Sequence, residues 1–311
     1  MYKKIISVII IILSLLYLFY NSNKIKEQDF KIEDITTIES IYLSDMKGNQ
    51  ITLLKHKGFW MINNLYKVRK DAIKTLLETI QSIEVQQPVS ENAFNNVVRN
   101  LATSGVKVEI YSNKLLKTYY VGHTTQNHLG TYMIIKDANN PFIVHIPGFN
   151  GFLSPRYGIV GAGVNINDWR DNTIFTLDPD KIIEIQLNNI TNEDLSFHLF
   201  PKDNIVYNKE KEQFKTNTIK VLDYLNNFQN LNCESYKNEV LINKSLLYTL
   251  EIKTSNKKDI LKVYKFDKRN KNSNNSAPNV ERYYAKLNNG ELMLIQKYVF
   301  NNVFISINDL R

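Results

Sequence analysis

Two amphipathic stretches at matching places in the sequence constrain the fold of this chain more than any other feature. Residues 73–85 read IKTLLETIQSIEV, and residues 219–231 read IKVLDYLNNFQNL. Each stretch follows two short runs of alternating apolar residues, a pattern that indicates half-buried β-strands. The same order of elements recurs at a spacing of roughly 140 to 150 residues, which predicts a tandem duplication of one α+β unit.

In the first repeat, the alternating pairs Ile41, Leu43 and Ile51, Leu53 predict a β-hairpin closed by a turn at 46–50. Two helices should follow, with apolar stripes at Ile73, Leu76, Leu77, Ile80 and Ile83 and at Ala93, Phe94, Val97, Val98 and Leu101. Further alternating runs begin at Val106. We therefore expect an antiparallel sheet with helices on one face.

The second repeat shows the same order, with strands predicted around Ile185 and Phe197 and a shorter helix over 241–247. Its main helix should bury the stripe Ile219, Leu222, Leu225 and Phe228. The predicted organisation is an anchor at 1–22, a spacer at 23–35, a first repeat at 36–153, a connector at 154–180 and a second repeat at 181–311.

The N-terminus predicts a membrane anchor. Residues 5–20 are apolar except for Ser7 and Ser14, and as a helix they would span about 24 Å, slightly less than a bilayer core of ~30 Å. The run ends in Tyr17-Leu18-Phe19-Tyr20, without the small residues that precede a signal-peptidase cut. We therefore predict a single-pass protein of the inner membrane whose C-terminal domain is extracytoplasmic.

The positive charge of the chain is concentrated in one segment. The formal net charge is +8, and residues 253–271 contain eight basic residues against Asp259 and Asp267. A solvated loop with weak attraction to anionic lipid or wall polymer accounts for this excess. Aromatic residues suited to base stacking are sparse there, so nucleic acid is not an expected partner.

Patterns that resemble nucleotide or metal sites lack their required context. The GIVGAG stretch at 158–163 does not join a strand to a helix, as a phosphate-binding loop must. His123 and His128 lie five residues apart without the third ligand that zinc needs. His145 and His198 lie in predicted strands, where packing or solvent exposure accounts for them. No cofactor or metal ligand is predicted.

Nucleophilic catalysis has equally weak candidates. Cys233 is the one cysteine of the chain and has no base beside it in the sequence; a lone thiol is typically a small core residue. Ser44–Lys47 matches S-x-x-K but lies at a turn, whereas that chemistry needs both groups on one helical turn. We predict no catalytic residue.

The segment 147–157, PGFNGFLSPRY, is the one predicted working surface. Its prolines and glycines exclude a regular strand or helix, yet it carries Phe149, Phe152, Arg156 and Tyr157. Aromatic groups and arginine are common at interaction hot spots, so we expect these four residues to contact a partner. The alternative is that the aromatic side chains pack into a groove between the two repeats and fix their angle.

Several longer stretches resemble one bacterial family. WMINNLYKVRKDAIKTLLETIQSIEVQQPV, KTYYVGHTTQNHLGTYMI and PFIVHIPGFNGFLSPRY are similar to the family known as domain of unknown function 4340. The resemblance implies a membrane-anchored extracytoplasmic protein, and some relatives are encoded beside ABC-transporter subunits of the gliding-motility type. It implies a non-enzymatic binding or scaffold module, accessory to such a transporter or envelope complex. An envelope hydrolase with an unrecognised site is the alternative.

Overall fold

The structure, a computed structural model, describes residues 10–14, 29–159, 161, 163–237, 244–266 and 281–311. Apart from residues 10–14, the predicted anchor at 1–22 lies outside these ranges. Among the residues that are described, no helix has both the length and the apolar character needed to cross a membrane.

The chain divides into two compact units, Met1–Asp171 (unit 1) and Asn172–Arg311 (unit 2). The division falls inside the predicted connector at 154–180, so that its first eighteen residues belong to unit 1. Trp169 and Tyr157 are fully buried there, because they pack with the core of unit 1.

Unit 1 is built on an antiparallel sheet. Its strands are β1 (Ser40–Ser44), β2 (Gln50–His56), β3 (Phe59–Ile62), β4 (Tyr66–Lys67), β5 (Glu84–Pro88), β6 (Val106–Tyr111), β7 (Leu115–Thr124), β8 (Thr131–Ile135) and β9 (Phe142–His145). Its α-helices are α1 (Lys70–Ser82), α2 (Glu91–Ser104) and α3 (Ile166–Trp169), and 3-10 turns occupy Ile35–Thr37 and Ser154–Tyr157. Within the described residues these nine strands form one sheet in the order β4-β3-β2-β1-β6-β7-β8-β9-β5.

Unit 2 repeats this plan. Its strands are β10 (Thr173–Phe175), β11 (Ile182–Asn189), β12 (Phe197–Phe200), β13 (Ile205–Tyr207), β14 (Gln213–Lys215), β15 (Leu231–Asn232), β16 (Ser235–Lys237), β17 (Leu246–Thr254), β18 (Lys258–Lys265), β19 (Arg282–Leu287) and β20 (Leu292–Gln296). Its α-helices are α4 (Thr218–Asn226) and α5 (Lys297–Phe300), with 3-10 turns at Pro179–Lys181, Glu193–Leu195, Pro201–Asp203 and Ile307–Asp309. In the described part of unit 2, nine strands follow the order β14-β13-β12-β11-β17-β18-β19-β20-β16, and β10 pairs with β15.

The two large sheets have the same strand order, and their registers agree around Ile41 of β1 and Ile185 of β11. In unit 1, Ile41 of β1 pairs with Leu53 on one side and Ile110 on the other. In unit 2, Ile185 of β11 pairs with Leu199 and Ile252. These residues all face a hydrophobic core, as the alternating sequence pattern predicts. The expected α+β architecture of antiparallel sheets with a few helices is confirmed.

Helix α1 packs as its stripe predicts, whereas α2 lies on the other face of the sheet. Tyr119 and Val121 of β7 point into the core that α1 also covers. The next residue, Gly122, lies beneath α2, since a Cβ there would be 2.7 Å from Leu101 Cδ2. The expectation of helices on one face is therefore wrong for unit 1. An apolar stripe fixes which side of a helix is buried, but it does not specify which face of a sheet receives it.

Helix α4 is rotated relative to its predicted orientation. Ile219 is 72% exposed and Leu222 is 50% exposed, so the predicted stripe is wrong at these two positions. The buried residues of the helix are Val221, Tyr224 and Leu225. The hydroxyl of Tyr224 donates to the carbonyl oxygen of Val303 at 3.1 Å in the core, which satisfies the polar end of a large apolar side chain. This contact favours the observed rotation.

The shorter helix predicted over 241–247 also differs from the structure. Leu246 and Leu247 begin strand β17, while residues 238–243 lie outside the described ranges. The alternating pattern of Leu250 and Ile252 continues through this strand, and its pairing with β11 and β18 explains why the strand starts early.

Candidate functional site

The predicted partner segment packs onto unit 1. The Nε of Arg156 donates to Thr79 Oγ1 of α1 at 2.7 Å, and its guanidinium lies 4.9 Å from the ring centroid of Phe149. Phe149 packs partly buried against the core of unit 1. Phe152 is half-buried, with its ring 6.0 Å from that of His128.

Tyr157 does not belong to any surface. Its side chain is fully buried, and its hydroxyl lies 2.9 Å from the hydroxyl of Tyr119. Burial raises the pKa of both phenols well above the ordinary range, so both remain neutral. The inclusion of Tyr157 in a partner surface is therefore wrong, whereas Phe149, Phe152 and Arg156 keep accessible parts.

A buried carboxylate binds the backbone of the residue that follows the GIVGAG stretch. Asp45, in the turn after β1, accepts hydrogen bonds from the backbone N–H groups of Lys47, Asn49 and Val164 at 2.9, 3.0 and 3.1 Å. Its burial acts to raise the pKa, but these bonds and one from the Asn49 side chain together hold the pKa of Asp45 below its usual range. This carboxylate thus has a structural role.

The histidine and cysteine candidates have local partners. His123 Nε2 lies 2.8 Å from Ser104 Oγ, and His128 Nδ1 lies 3.4 Å from Thr124 Oγ1. Cys233 is buried in the core of unit 2. Across the described ranges, no group of three or more histidine, cysteine, aspartate or glutamate side chains is placed to hold a metal ion.

The basic segment 253–271 is partly a β-hairpin. Its described lysines lie on β17, on β18 and in the turn between them, and residues 267–271 fall outside the described ranges. Lys253 lies 3.6 Å from Glu184, Lys257 lies 2.7 Å from Asp259, and Lys258 lies 2.5 Å from Glu251. These ion pairs offset much of the positive charge in the first half of the segment.

A cavity of about 830 Å³ opens on the outer face of the sheet of unit 2. Its floor is formed by the outward-facing side chains of the strands, because successive side chains of a strand point to opposite faces of the sheet. Ile185 and Leu187 of β11 face the core, so Gln186 and Asn188 face outward into the cavity. In the same way, His198 and Phe200 of β12, Ile205 and Tyr207 of β13, and Thr249 of β17 line it.

Three neighbouring rings form the apolar part of this floor. The ring centroids of His198 and Phe200 are 4.3 Å apart, and those of Phe200 and Tyr207 are 5.9 Å apart at an interplanar angle of 89°. His198 Nε2 lies 2.7 Å from Glu184 Oε1. The hydroxyl of Tyr207 donates to Gln213 at 2.9 Å. All three rings are half-buried, so part of each remains accessible.

The rim consists of two loops fixed by side chains. Asn189 Oδ1 accepts from the backbone N–H groups of Thr191 and Asn192 at 3.1 and 3.0 Å, which shapes the turn after β11. On the rim, Glu193 forms an ion pair with Lys209 from the loop after β13. The cavity is therefore lined by amides, rings and balanced charges.

At two positions of the equivalent face, unit 1 carries longer side chains than unit 2. The shared registers match Gln186 to Tyr42 and Thr249 to Lys107. Lys107 Nζ lies 2.6 Å from Glu109 Oε1 across that face. The smaller residues of unit 2 at these positions leave room where unit 1 has a tyrosine and a lysine.

The chain is thus a two-unit α+β protein. Both units have the same strand order, and unit 2 has an open cavity on its sheet. The chain belongs to the family described as Domain of unknown function (DUF4340), whose family model matches residues 60–245, more than half of the chain. The matched range includes β11 to β13 and so most of the cavity floor. No curated protein and no solved structure matches the chain.

Sequence reasoning missed this cavity. The sequence pattern around His198 indicates a strand residue that packing or solvent exposure explains, and it does not single out the neighbouring residues. The sequence feature that indicates the cavity is the alternation along each strand, in which core residues are separated by outward-facing amides and rings. These outward residues are Gln186, Asn188, His198, Phe200 and Tyr207.

Proposed function

We propose that this chain is a non-enzymatic binding module that an N-terminal helix anchors in the inner membrane. Both units would lie outside the cytoplasm, where the module serves an ABC-type transporter or another envelope complex. The observation that carries the binding role is the cavity on β11–β13. Its volume of about 830 Å³ lies within the range of small-molecule sites, and it combines apolar rings with a few polar groups.

The anchor is supported by the apolar run at residues 5–20. The intact chain with a C-terminal epitope should stay in the membrane pellet after alkaline extraction. In spheroplasts, external protease should remove the epitope. Recovery of a soluble form that begins near residue 23 would contradict the anchor, and a protected epitope would contradict the orientation.

An envelope hydrolase is the alternative, and the His198–Glu184 pair is the observation that favours it. A carboxylate 2.7 Å from a ring nitrogen can orient a histidine base. A hydrolase would convert a bound compound into products, and the His198→Gln variant would lose this turnover. Under our proposal the wild-type chain returns every bound compound chemically unchanged.

We infer that the two units arose by tandem duplication. The identical strand orders and the matched pairs of Ile41 and Ile185 support this inference. In an experimental structure, residues 36–146 and 180–300 should superpose over their common strands. Different topologies in the two ranges would refute the duplication.

We also propose that the accessible parts of Phe149, Phe152 and Arg156 contact a membrane partner. Arg156 has contacts within unit 1, so its replacement would confound stability with binding. Phe152→Ala is the sharper variant, with Phe59→Ala as a control, since Phe59 is an exposed ring on β3. Phe152→Ala should reduce partner recovery after detergent solubilisation without lowering the Tm. Unchanged recovery would end this proposal.

Residues 253–271 remain a proposed weak contact with anionic lipid or wall polymer. Lys262 and Lys265 lie on β18, and their joint replacement by glutamine should weaken flotation of the extracytoplasmic part with phosphatidylglycerol vesicles. Neutral phosphatidylcholine vesicles serve as the control. Equal flotation with both lipids would exclude an electrostatic contact.

A further inference from the structure

On the floor of the cavity the available hydrogen-bonding groups are side chains, because the strands there are paired on both edges. Strand β11 lies between β12 and β17, β12 lies between β11 and β13, and β13 lies between β12 and β14. A peptide that binds by adding a strand needs a free sheet edge. The floor of this cavity offers no such edge, so its ligand must be recognised through side-chain amides, hydroxyls and rings.

The charged groups around the cavity are balanced. Glu193 pairs with Lys209 on the rim, and the other lining charges are Asp203 and Lys211. Beside the floor, on the same outward face of the sheet, Glu184 contacts both His198 and Lys253. Arginine is over-represented in anion sites because it binds in a bidentate arrangement, and the described lining residues include no arginine. This balance favours a ligand without net charge.

The uncharged polar groups present donors and acceptors side by side. Gln186 Nε2 donates to Asn188 Oδ1 at 3.4 Å, a long bond that a ligand can replace. Each amide side chain can donate two hydrogen bonds and accept others, and the Thr249 hydroxyl both donates and accepts. A pair of neighbouring hydroxyl groups on a ligand has the same dual character and matches these groups well.

Next to the amides lies an apolar surface made of rings. Phe200 sits beside His198 and Tyr207, and the ring faces carry partial negative charge that attracts the positive edges of C–H groups. A ligand that fits must therefore combine vicinal hydroxyls with an apolar C–H face. A sugar ring has both properties.

We propose that this cavity binds a neutral saccharide, which would make it the ligand site of the binding module proposed above. Gln186, Asn188 and Thr249 hydrogen-bond the hydroxyl groups, and Phe200 with Tyr207 packs against the C–H face. The volume accommodates a short oligosaccharide. In unit 1, the larger residues Tyr42 and Lys107 occupy the positions equivalent to Gln186 and Thr249.

The test is a binding measurement on the intact chain in detergent. Saturation-transfer NMR and calorimetry are run with maltotriose, cellotriose and chitotriose, and with trigalacturonate and trialanine for comparison. Two variants take their replacement from unit 1: Gln186→Tyr copies Tyr42, and Phe200→Leu copies Leu54, the residue at the equivalent register position. Thr249→Lys, which copies Lys107, serves if either fails to fold. Tyr42→Gln in unit 1 is the matched control.

We expect at least one neutral trisaccharide to bind, with affinity reduced about tenfold or more in each unit 2 variant at unchanged Tm. The Tyr42→Gln chain should bind like the wild type. Absence of binding by all three neutral sugars, tighter binding of trigalacturonate or trialanine, or binding that survives both variants would overturn the saccharide assignment. Cleavage of a bound sugar, detected by mass spectrometry, would instead overturn the non-enzymatic role while leaving the site in place.

Discussion

Arg156 donates from Nε to the hydroxyl of Thr79 at 2.7 Å, and Thr79 in turn donates to the carbonyl oxygen of Thr75 at 2.6 Å. The segment after β9 is thereby attached to α1 through one fully buried hydroxyl. Thr79→Val keeps the shape but removes the acceptor, so we expect a loss of about 1–3 kcal/mol in the free energy of unfolding of unit 1. Urea denaturation measures this.

Thr79→Ser is the matched control for that change, because it retains the hydroxyl and removes one methyl group. It should lose less stability than Thr79→Val. Equal losses in the two variants would show that the hydrogen bond to Arg156 contributes little.

The buried hydroxyls of Tyr119 and Tyr157 should behave as a coupled pair. Tyr157→Phe leaves the Tyr119 hydroxyl without its partner and should cost about 1–2 kcal/mol. Replacing both tyrosines by phenylalanine removes both polar groups, so the double variant should lose less than the sum of the single losses. Thermal unfolding of the four chains gives the coupling energy, and additive losses would contradict it. Tyr298→Phe, at a residue that is 85% exposed, should be neutral.

The lowered pKa of Asp45 predicts that the free energy of unfolding decreases in acid. Because its pKa is lower in the folded chain than in the unfolded chain, its stabilising effect is fully present above about pH 4 and declines as pH falls through the folded-state pKa. Asp45→Asn should lower stability at pH 7 and make the acid side of the stability curve less steep. Stability measured between pH 7 and pH 2 tests this, with exposed Asp223→Asn as a control. Parallel curves for wild type and Asp45→Asn would contradict the prediction.

Gly122 allows α2 to approach the sheet closely, because glycine has no Cβ. A Cβ at this position would be 2.7 Å from Leu101 Cδ2 and 2.9 Å from the carbonyl oxygen of Tyr132. The backbone oxygen cannot move freely, so Gly122→Ala should cost about 1–3 kcal/mol. Leu101→Ala in the same chain removes one of the two clashes but not the other. A Gly122→Ala chain with wild-type Tm would show that the strand shifts at little cost.

Local pattern was sufficient to predict the elements whose partners are close in sequence. The hairpin of Ile41 with Leu53 and the buried face of α1 follow from alternation and helical periodicity alone. Short edge strands such as β4 and β5 were missed, since two to five residues with few apolar side chains carry little periodic signal.

The remaining differences have tertiary causes. The orientation of α4 depends on a bond from Tyr224 to Val303, about 80 residues away in the sequence. The face of the sheet on which α2 packs depends on Gly122, which leaves room for Leu101 of the helix. The cavity required knowledge of which outward residues of β11, β12 and β13 become neighbours, and only the strand registers supply it.

The strand order also determines which strand pairs can form early in folding and which must form late. In each large sheet the strand that comes first in the chain pairs on one side with its immediate successor and on the other with a strand about 70 residues further along, as Ile41 does with Leu53 and Ile110. During synthesis the meander β1–β4 emerges with one edge of β1 unpaired. That edge stays open until β6 has been synthesised and pairs with it. Such non-local pairing is slow, so each half-made sheet passes through a period in which its open edge needs protection from other chains.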